Sequence, residues 1–480
     1  MPWNQAVSMV GCVFSLSIAF SWGHFCAANE PLGGRAPDAL PTASVSLPAN
    51  STLENMLQDS GISGGLIVHV ACTDGQSTAT LVRHANDRVQ GLDRDAAMID
   101  RARQHARSLD LDGRLMFKPW CGDRLPYTDN LVNVLFWEEA APDADRREIL
   151  RVLAPRGVAY LDTGDGWEKL VKSWPDEIQE WTHFRADAGG TGANDDRRVG
   201  PPRHLQWEAG PRVMRSHEIE TGLSGLVTAN GRLYYIIDDG PRGITDARFP
   251  ARWSLVCRYA FNGIELWKRA LPTWGWQAWS KQARQNDPHQ WLGRRTNPGD
   301  VDRLLAAEQD TVYVTLGWGA PFSALDGRTG EVLRTYAETD GASELIVLDG
   351  VLLVRTDNPQ PAILAIRADD GVLLWRHVGD PIIGRTLAAA GNRVFFHTRN
   401  ELVALDLRSG KELWRHETQL RPAMVVAHQE IVLVVQAQTV WALATDSGEL
   451  RWKSPGVQSR GRSPDLFVVD ERVWYGRPSH

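Results

Sequence analysis

The sequence predicts two domains of different class: a doubly wound α/β domain followed by an all-β propeller. Three observations carry this. Residues 54–165 alternate apolar strand-like runs with segments of helical spacing. Beyond about residue 200 the helical spacing stops and short apolar strands recur. Within that second region, one strand–turn–strand pattern returns at a near-constant interval. A chain of 480 residues is also too long for one ordinary core.

The repeat comes first because it is the most regular feature. Residues 255–269 (LVCRYAFNGIELWKR), 363–377 (ILAIRADDGVLLWRH), 401–416 (ELVALDLRSGKELWRH) and 439–453 (TVWALATDSGELRWK) share it. Each is an apolar strand, a polar turn ending in Gly, and a second strand carrying Trp. The pairs are Gly263–Trp267, Gly371–Trp375, Gly410–Trp414 and Gly448–Trp452, always four residues apart. A fifth copy, SALDGRTGEVLRTY, carries Arg334 in place of Trp. Gly330, Gly371, Gly410 and Gly448 follow one another at 38–41 residues, and further strand pairs lie between the copies. Four strands at this period are the mark of propeller blades. The Trp at a fixed place in each blade is read as packing between blades, which explains why Trp (20) outnumbers Phe (12) and Tyr (8). About six blades are expected in 202–480, the last of them partial, so the propeller reads as incomplete. The alternative is that Leu205-Gln206-Trp207 pairs with the end of the chain to close a smaller ring.

The α/β domain is placed at 54–165. A strand is expected over 64–71 with a turn at Asp74-Gly75. A second strand, 88–92, ends at Asp93 and leads to a helix over 96–108. Strands follow at 115–118 and 131–137, then a helix over 145–153, and a turn at Pro155-Arg156-Gly157 opens the strand VAYLD. Residues 1–28 read as a signal peptide, with the uncharged apolar stretch Ala6 to Trp22 and small residues at Cys26-Ala27-Ala28. No Lys or Arg precedes that stretch. Residues 29–53 read as a linker and 166–201 as a connecting segment.

The repeated ALD-x-x-x-G-x-x-x-W unit resembles the pyrroloquinoline-quinone (PQQ) repeat. That repeat occurs in quinoprotein dehydrogenases and in a lipoprotein scaffold of the bacterial outer-membrane assembly machine. The α/β run is similar to the class I S-adenosylmethionine-dependent methyltransferases through VHVACTDG, VQGLDRD, LPYTDNLVNVLFWEE and REILRVLAPRGVAYL. The joining segment, with Trp181, His183 and Asp187 and then Asp195 and Asp196, resembles a group of exported bacterial proteins that fuse the two modules. The methyltransferase resemblance implies a cofactor turn of three glycines with an acidic residue in the strand before it. Here the acidic position is His69, the first two glycines are Ala71 and Thr73, and Gly75 remains. It also implies that Asp93 holds the ribose hydroxyls; the other reading of Asp93 is a cap on the following helix. His69, Cys72, Gly75 and Asp93 are therefore the candidate cofactor-binding residues of that domain.

In the propeller, the insertion from Trp274 to Trp291 is rich in Trp, Gln and His, and Trp276 and Trp279 are candidates for a binding mouth. No metal site is expected: His183, His217 and His289 show no ligand spacing. The half-cystine ring and calcium ligands implied by a quinoprotein dehydrogenase are not visible, although Asp238 and Asp239 are loop carboxylates. Of five Cys, two fall in the signal and none forms a CxxC pair. A net charge of −7 and a pI near 6.0 argue against a nucleic-acid partner. The expected function is an exported, periplasmic or secreted, binding or scaffold protein with a degenerate methyltransferase-like domain. Its partner is an unknown protein or small molecule on a propeller face, and no transmembrane span remains after signal removal. The alternatives are a PQQ-dependent oxidoreductase and an S-adenosylmethionine-dependent methyltransferase.

Overall fold

Alternating apolar strands with amphipathic helices between them bury both faces of a sheet, and the first domain is built this way. The computed structural model describes residues 42–48, 50–122, 124–139, 143–198, 200, 205–210, 222–240, 251–279, 301–357, 360–418, 422–436, 439–455, 465–469 and 472–476. Its first elements are β1 (Thr42–Pro48), α1 (Leu53–Asp59), β2 (Gly65–Val70), α2 (Gln76–Ala79), β3 (Asp87–Asp93) and α3 (Ala96–Ser108). They continue with β4 (Leu115–Pro119), β5 (Val132–Trp137), α4 (Asp143–Val152), β6 (Leu153–Asp162) and β7 (Gly166–Lys172). The seven strands form one sheet in the order β1-β7-β6-β5-β2-β3-β4. The strands from β4 through β6 run parallel, β7 is antiparallel to β6, and β1 is antiparallel to β7. Alternate residues of β2 enter opposite cores. Ile67 packs with Ile99, Phe117 and Phe136, and Leu66, Val68 and Val70 pack with Leu135, Ile149 and Leu161.

Three expectations need correction. The stretch 29–53 contains β1, which completes the sheet edge, and the start of α1. The connecting segment 166–201 begins with β7, so the sheet reaches beyond 54–165 on both sides. Pro155-Arg156-Gly157 does not start a strand; β6 runs through it, with the register jumping from Val132↔Leu153 to Val134↔Val158. Arg156 takes a positive φ of 67° in this bulge.

The second region is a series of antiparallel sheets. Blade 1 consists of β8 (Leu223–Ala229), β9 (Arg232–Asp238), β10 (Trp253–Tyr259) and β11 (Glu265–Ala270). Four-stranded sheets follow within 305–335, 342–378, 388–417 and 424–455, then a two-stranded sheet within 465–476. These are blades 2 to 6, and each is a simple meander.

One local geometry recurs in blades 1 to 5. The register between the third and fourth strands shifts just before the repeat turn, after Cys257, Ala324, Ala365, Ala404 and Ala442. That small residue lies opposite Trp267, Arg334, Trp375, Trp414 and Trp452 respectively. Trp267, Trp375 and Trp414 then lie over the turn glycine of the next blade: Gly330, Gly410 and Gly448. A Cβ at any of these glycines would come closer than 3.0 Å to the indole. Each Nε1–H donates to a carbonyl of that same turn: Gly327 at 3.0 Å, Leu407 at 2.8 Å and Thr445 at 3.0 Å. The repeat Trp is thus a clasp between blades.

Trp207 makes the same clasp on blade 1. It lies over Gly263 and donates to the Ala260 carbonyl at 2.9 Å. The short segment around Leu205-Gln206-Trp207 therefore stands where the outer strand of a preceding blade would stand.

Pro41–His480 forms one compact unit, and the two domains touch within it. Asn262, in the repeat turn of blade 1, donates to Leu131 O at 2.9 Å and to Asn133 Oδ1 at 2.6 Å. Asn86 donates to Leu266 O. Asn133 also accepts from Leu66 N at 2.9 Å. These contacts fall at the amino ends of β2 and β5. The turn after β2 lies at the other end of that strand, and Thr73 in it is exposed.

Candidate functional site

The carboxyl ends of parallel strands are where open α/β sheets bind ligands, and the turn after β2 lies there. Ala71, Thr73 and Gly75 all have positive φ, at 61°, 48° and 79°. A non-glycine residue in this region costs about 1–2 kcal/mol, and a β-branched Thr is an outlier there. The left-handed path of the turn is thus kept at three alternate positions although two of them carry a Cβ. Only Gly75 is packed so tightly that a Cβ would strike Phe117 and Ala102.

Asp93 ends β3 beside this turn. Its Oδ2 accepts from Thr73 N at 2.9 Å, and its Oδ1 accepts from Asp95 N at 2.9 Å. The helix cap is Asp95, which accepts from Ala97 N, so the capping role read for Asp93 passes to its neighbour. Asp93 instead ties the turn to the strand end. Each carboxylate oxygen keeps a second lone pair, so Asp93 can accept further hydrogen bonds.

His69 is fully buried. Its Nδ1 pairs with Thr78 Oγ1 at 2.8 Å, its Nε2 lies 3.4 Å from Glu138 Oε1, and its ring meets Phe136 edge-on. It joins β2 to α2 through Nδ1, while its buried Nε2, near the end of β5, makes no hydrogen bond among the described residues. Cys72 is also fully buried, and burial first, then the nearby Asp93 charge, push its thiol up to about 12. It is a core residue, not a nucleophile. The structure thus brings His69, Cys72, Gly75 and Asp93 to one strand end, with Asp93 the one suited to touch a ligand.

On the propeller, Trp279 belongs to a packed cluster with Trp253, Trp274 and Trp318, with ring centroids 5.4–6.4 Å apart. Contacts this close leave no slot between the rings. The side chain of Trp276 and residues 280–300 lie outside the described residues, as does His217. Asp238 Oδ1 accepts from Gly240 N and Arg252 N, and Asp239 pairs with Lys268 at 2.6 Å; these loop carboxylates are engaged within their own blade. No metal-ligand cluster occurs among the described residues.

The feature that sequence reading missed is the propeller axis. Residues 181–191 run along it as a strap and meet the innermost strand of each blade in turn. Thr228 N donates to Trp181 O at 2.6 Å, and Ala307 N to Thr182 O at 2.9 Å. Val347 N donates to His183 Nε2 at 3.0 Å. Ala389 N then donates to Ala188 O at 2.9 Å, Ala427 N to Gly189 O at 2.9 Å, and Val468 N to Thr191 O at 3.0 Å. Each donor is the penultimate residue of its strand. A Cβ at Gly189 would strike the Ala427 carbonyl, so the approach needs Gly. Asp187 folds the strap by accepting from Thr191 N at 3.1 Å and Thr191 Oγ1 at 2.7 Å. Arg185 reaches blade 6, pairing with Asp465 at 2.6 Å and donating to Leu466 O.

His183 is the strap's buried anchor. Its Nε2 accepts from Val347, so Nδ1 carries the proton and donates to Thr182 Oγ1 at 2.8 Å. Burial pushes its pKa down to about 4. Beside the strap, a cavity of about 30 Å³ remains among His183, Arg185, Arg303, Leu305 and Leu345. That is about the share of one water molecule, whereas cofactor sites need about 300 Å³ or more. Among the described residues, the cavity beside the strap is too small for a pyrroloquinoline quinone. The signal that pointed to the strap was the spacing of Trp181, His183 and Asp187, which had no partner in the sequence.

Comparisons with known proteins agree with this division. Residues 67–157 match a methyltransferase domain family. Residues 254–423 and 383–476 match the family of the outer membrane protein assembly factor BamB. The chain carries a methyltransferase-like α/β domain and a BamB-like PQQ-repeat propeller region. A demethylmenaquinone methyltransferase of Lactobacillus johnsonii is 32% identical over 128 residues, which cover 23% of this chain and 52% of that protein. The chain thus spans about half the length of that curated relative. BamB from Moraxella catarrhalis matches 52% of this chain and 65% of its own at 16% identity and a TM-score of 0.34. Geranyl diphosphate C-methyltransferase from Streptomyces coelicolor A3(2) matches 22% of this chain and 42% of its own at 23% identity and a TM-score of 0.21. No helix among the described residues is long and apolar enough to cross a membrane.

Proposed function

We propose that the protein is an exported binding or scaffold protein whose propeller presents its faces to a partner, and whose α/β domain has lost methyl transfer. The observation that carries this reading is the axial strap. Where a quinone enzyme needs an open funnel, residues 181–191 fill the axis with one hydrogen bond to each of six blades. Two Cβ atoms in the cofactor turn, at Ala71 and Thr73, support the loss of methyl transfer, and the uncharged apolar stretch near the amino terminus supports export. In-cell photo-crosslinking from probes placed on the propeller faces tests it. A discrete crosslinked partner is the expected result. No partner from any face, together with dye-coupled substrate oxidation that appears on adding quinone and calcium, would overturn it.

A second reading has its own support: the left-handed turn at 71, 73 and 75 and the carboxylate of Asp93 are still in place. If the domain binds S-adenosylmethionine, those residues hold its ribose and amino-acid parts, and the cofactor supplies a methyl group. Calorimetry with S-adenosylmethionine decides between the readings. Heat that disappears in Asp93→Ala, with the fold intact by circular dichroism, favours the second.

A further inference from the structure

Among the five complete repeats, the junction between blades 2 and 3 breaks the clasp. The residue that should lie over Gly371 is Arg334, whose Cδ and Nη1 take the place of an indole. The carbonyl that should receive an indole N–H, that of Ala368, accepts instead from Tyr336 Oη at 2.6 Å. The backbone need is therefore met by Tyr336, and the Arg334 side chain, slimmer than an indole, covers the turn. A groove of about 440 Å³ that Arg334 lines falls in the size range of ligand sites.

A second departure meets the first in that groove. At the turn position held by Asp326 in blade 2 and Asp406 in blade 4, blade 3 has Arg367. Asp326 and Asp406 cap their turns by accepting from the following backbone N–H groups. Arg367 cannot accept, and pairs instead with Asp370 on the surface. Arg408, from the turn of blade 4, also lines the groove, and its guanidinium donates to the Asp349 carbonyl at 3.3 Å. Arg334 has no hydrogen-bond or ion-pair partner among the described residues. The position of the packing Trp and the position that carries a capping Asp in blades 2 and 4 are thus both arginine here, and both line one groove. Glu308, Asp349 and Asp369 line the same groove, and Glu308 is occupied by the backbone N–H groups of Asp349 and Gly350. Leu333 lines the groove and is 59% exposed, and Val372, next to Gly371, is 48% exposed.

We infer that this groove is a docking site for an extended segment of a partner protein, with an aromatic side chain stacked on Arg334 and an adjacent carboxylate on Arg334 and Arg408. At the other clasps a flat ring covers the turn; here a guanidinium does, and it offers a face for a partner's ring to stack on. The unpaired guanidiniums select the carboxylate, and the exposed Leu333 and Val372 cover the flanking apolar surface of the segment. This assignment rests on the scaffold reading of the propeller.

The test uses the full chain and a synthetic blocked peptide, acetyl-Asp-Trp-Asp-Leu-amide, followed by calorimetry, with acetyl-Lys-Trp-Lys-Leu-amide and inorganic phosphate as controls. The acidic peptide is expected to bind at least tenfold more tightly than the basic one, with phosphate alone failing to compete. The variant Arg334→Trp restores the repeat, is expected to fold with a raised melting temperature, and loses the peptide at least tenfold. Arg408→Gln, at an exposed turn, is expected to weaken it about threefold to tenfold. No binding to the unaltered chain, or equal binding to Arg334→Trp, overturns the site. If in-cell partner crosslinks persist in Arg334→Trp, the scaffold reading stands and this site falls. If the peptide behaves as expected but no cellular partner is captured, the site stands and the scaffold reading falls.

Discussion

The two places where this protein's folds are expected to hold cofactors have met opposite fates. At the carboxyl end of β2, the backbone takes a left-handed path that its side chains do not favour. Ala71 and Thr73 sit in left-handed conformations that glycine would adopt without strain. At the propeller axis the site is filled, and its occupant is hydrogen-bonded to all six described blades. The difference teaches where the stabilisation lies. A strained turn persists because Asp93 and the packing of Gly75 hold it. A filled axis persists because the strap satisfies one buried N–H per blade, groups that would otherwise cost about 1–3 kcal/mol each.

The largest effect expected from this contrast is at the strap. His183→Leu leaves the Val347 N–H without an acceptor in a buried site and should cost about 3–5 kcal/mol. Urea unfolding of the propeller measures it. A loss under 1 kcal/mol would mean that the strap rides on the axis without anchoring it. Slightly smaller is the effect of pH. His183 titrates near 4 in the fold and near 6.5 when unfolded. Between those values the unfolded chain binds the extra proton, so stability falls as pH falls from 6.5 to 4 and then levels off. The full loss is about 3 kcal/mol, read as a pH-dependent melting temperature that flattens in His183→Gln.

At the cofactor turn the effects are smaller. Asp93→Ala removes the acceptor of Thr73 N and Asp95 N and should cost about 1–3 kcal/mol. Amide exchange at Thr73 is the sharper readout, because it should rise there and not at the strap. The smallest effect has the opposite sign. Thr73→Gly relieves the left-handed strain and should stabilise the α/β domain by about 1 kcal/mol or less, after the added chain entropy of glycine. If it destabilises by more than that, the turn is held by the Thr side chain and the idea of a strained relic fails.

Much of the fold was legible in the residues. The helix expected over 96–108 is α3, Ala96–Ser108, because an Asp cap and regular apolar spacing are local signals. The four-residue Gly-to-Trp interval announced blades because each clasp is made between a strand and the turn of the next copy. The outer strands β1 and β7 escaped notice. Their pairing is antiparallel at a sheet edge, where sequence neighbours say nothing about partners. At the candidate site, the strand–turn–strand run placed His69, Cys72, Gly75 and Asp93 together, as the structure does. Their burial was not legible: His69 and Cys72 are core residues, and Asp93 is half-buried.

By itself, the sequence determined the two fold classes, the order of the domains and the repeat that builds the blades. These follow from periodicity and turn chemistry, which act over a few residues. Only the tertiary structure decided that residues 181–191 fill the axis, that Trp207 clasps blade 1, and that Arg334 and Arg367 meet in one groove. Each of those depends on bringing together residues that are tens to hundreds of positions apart in the chain. The hydrogen bonds of the strap exist only once all six innermost strands surround it.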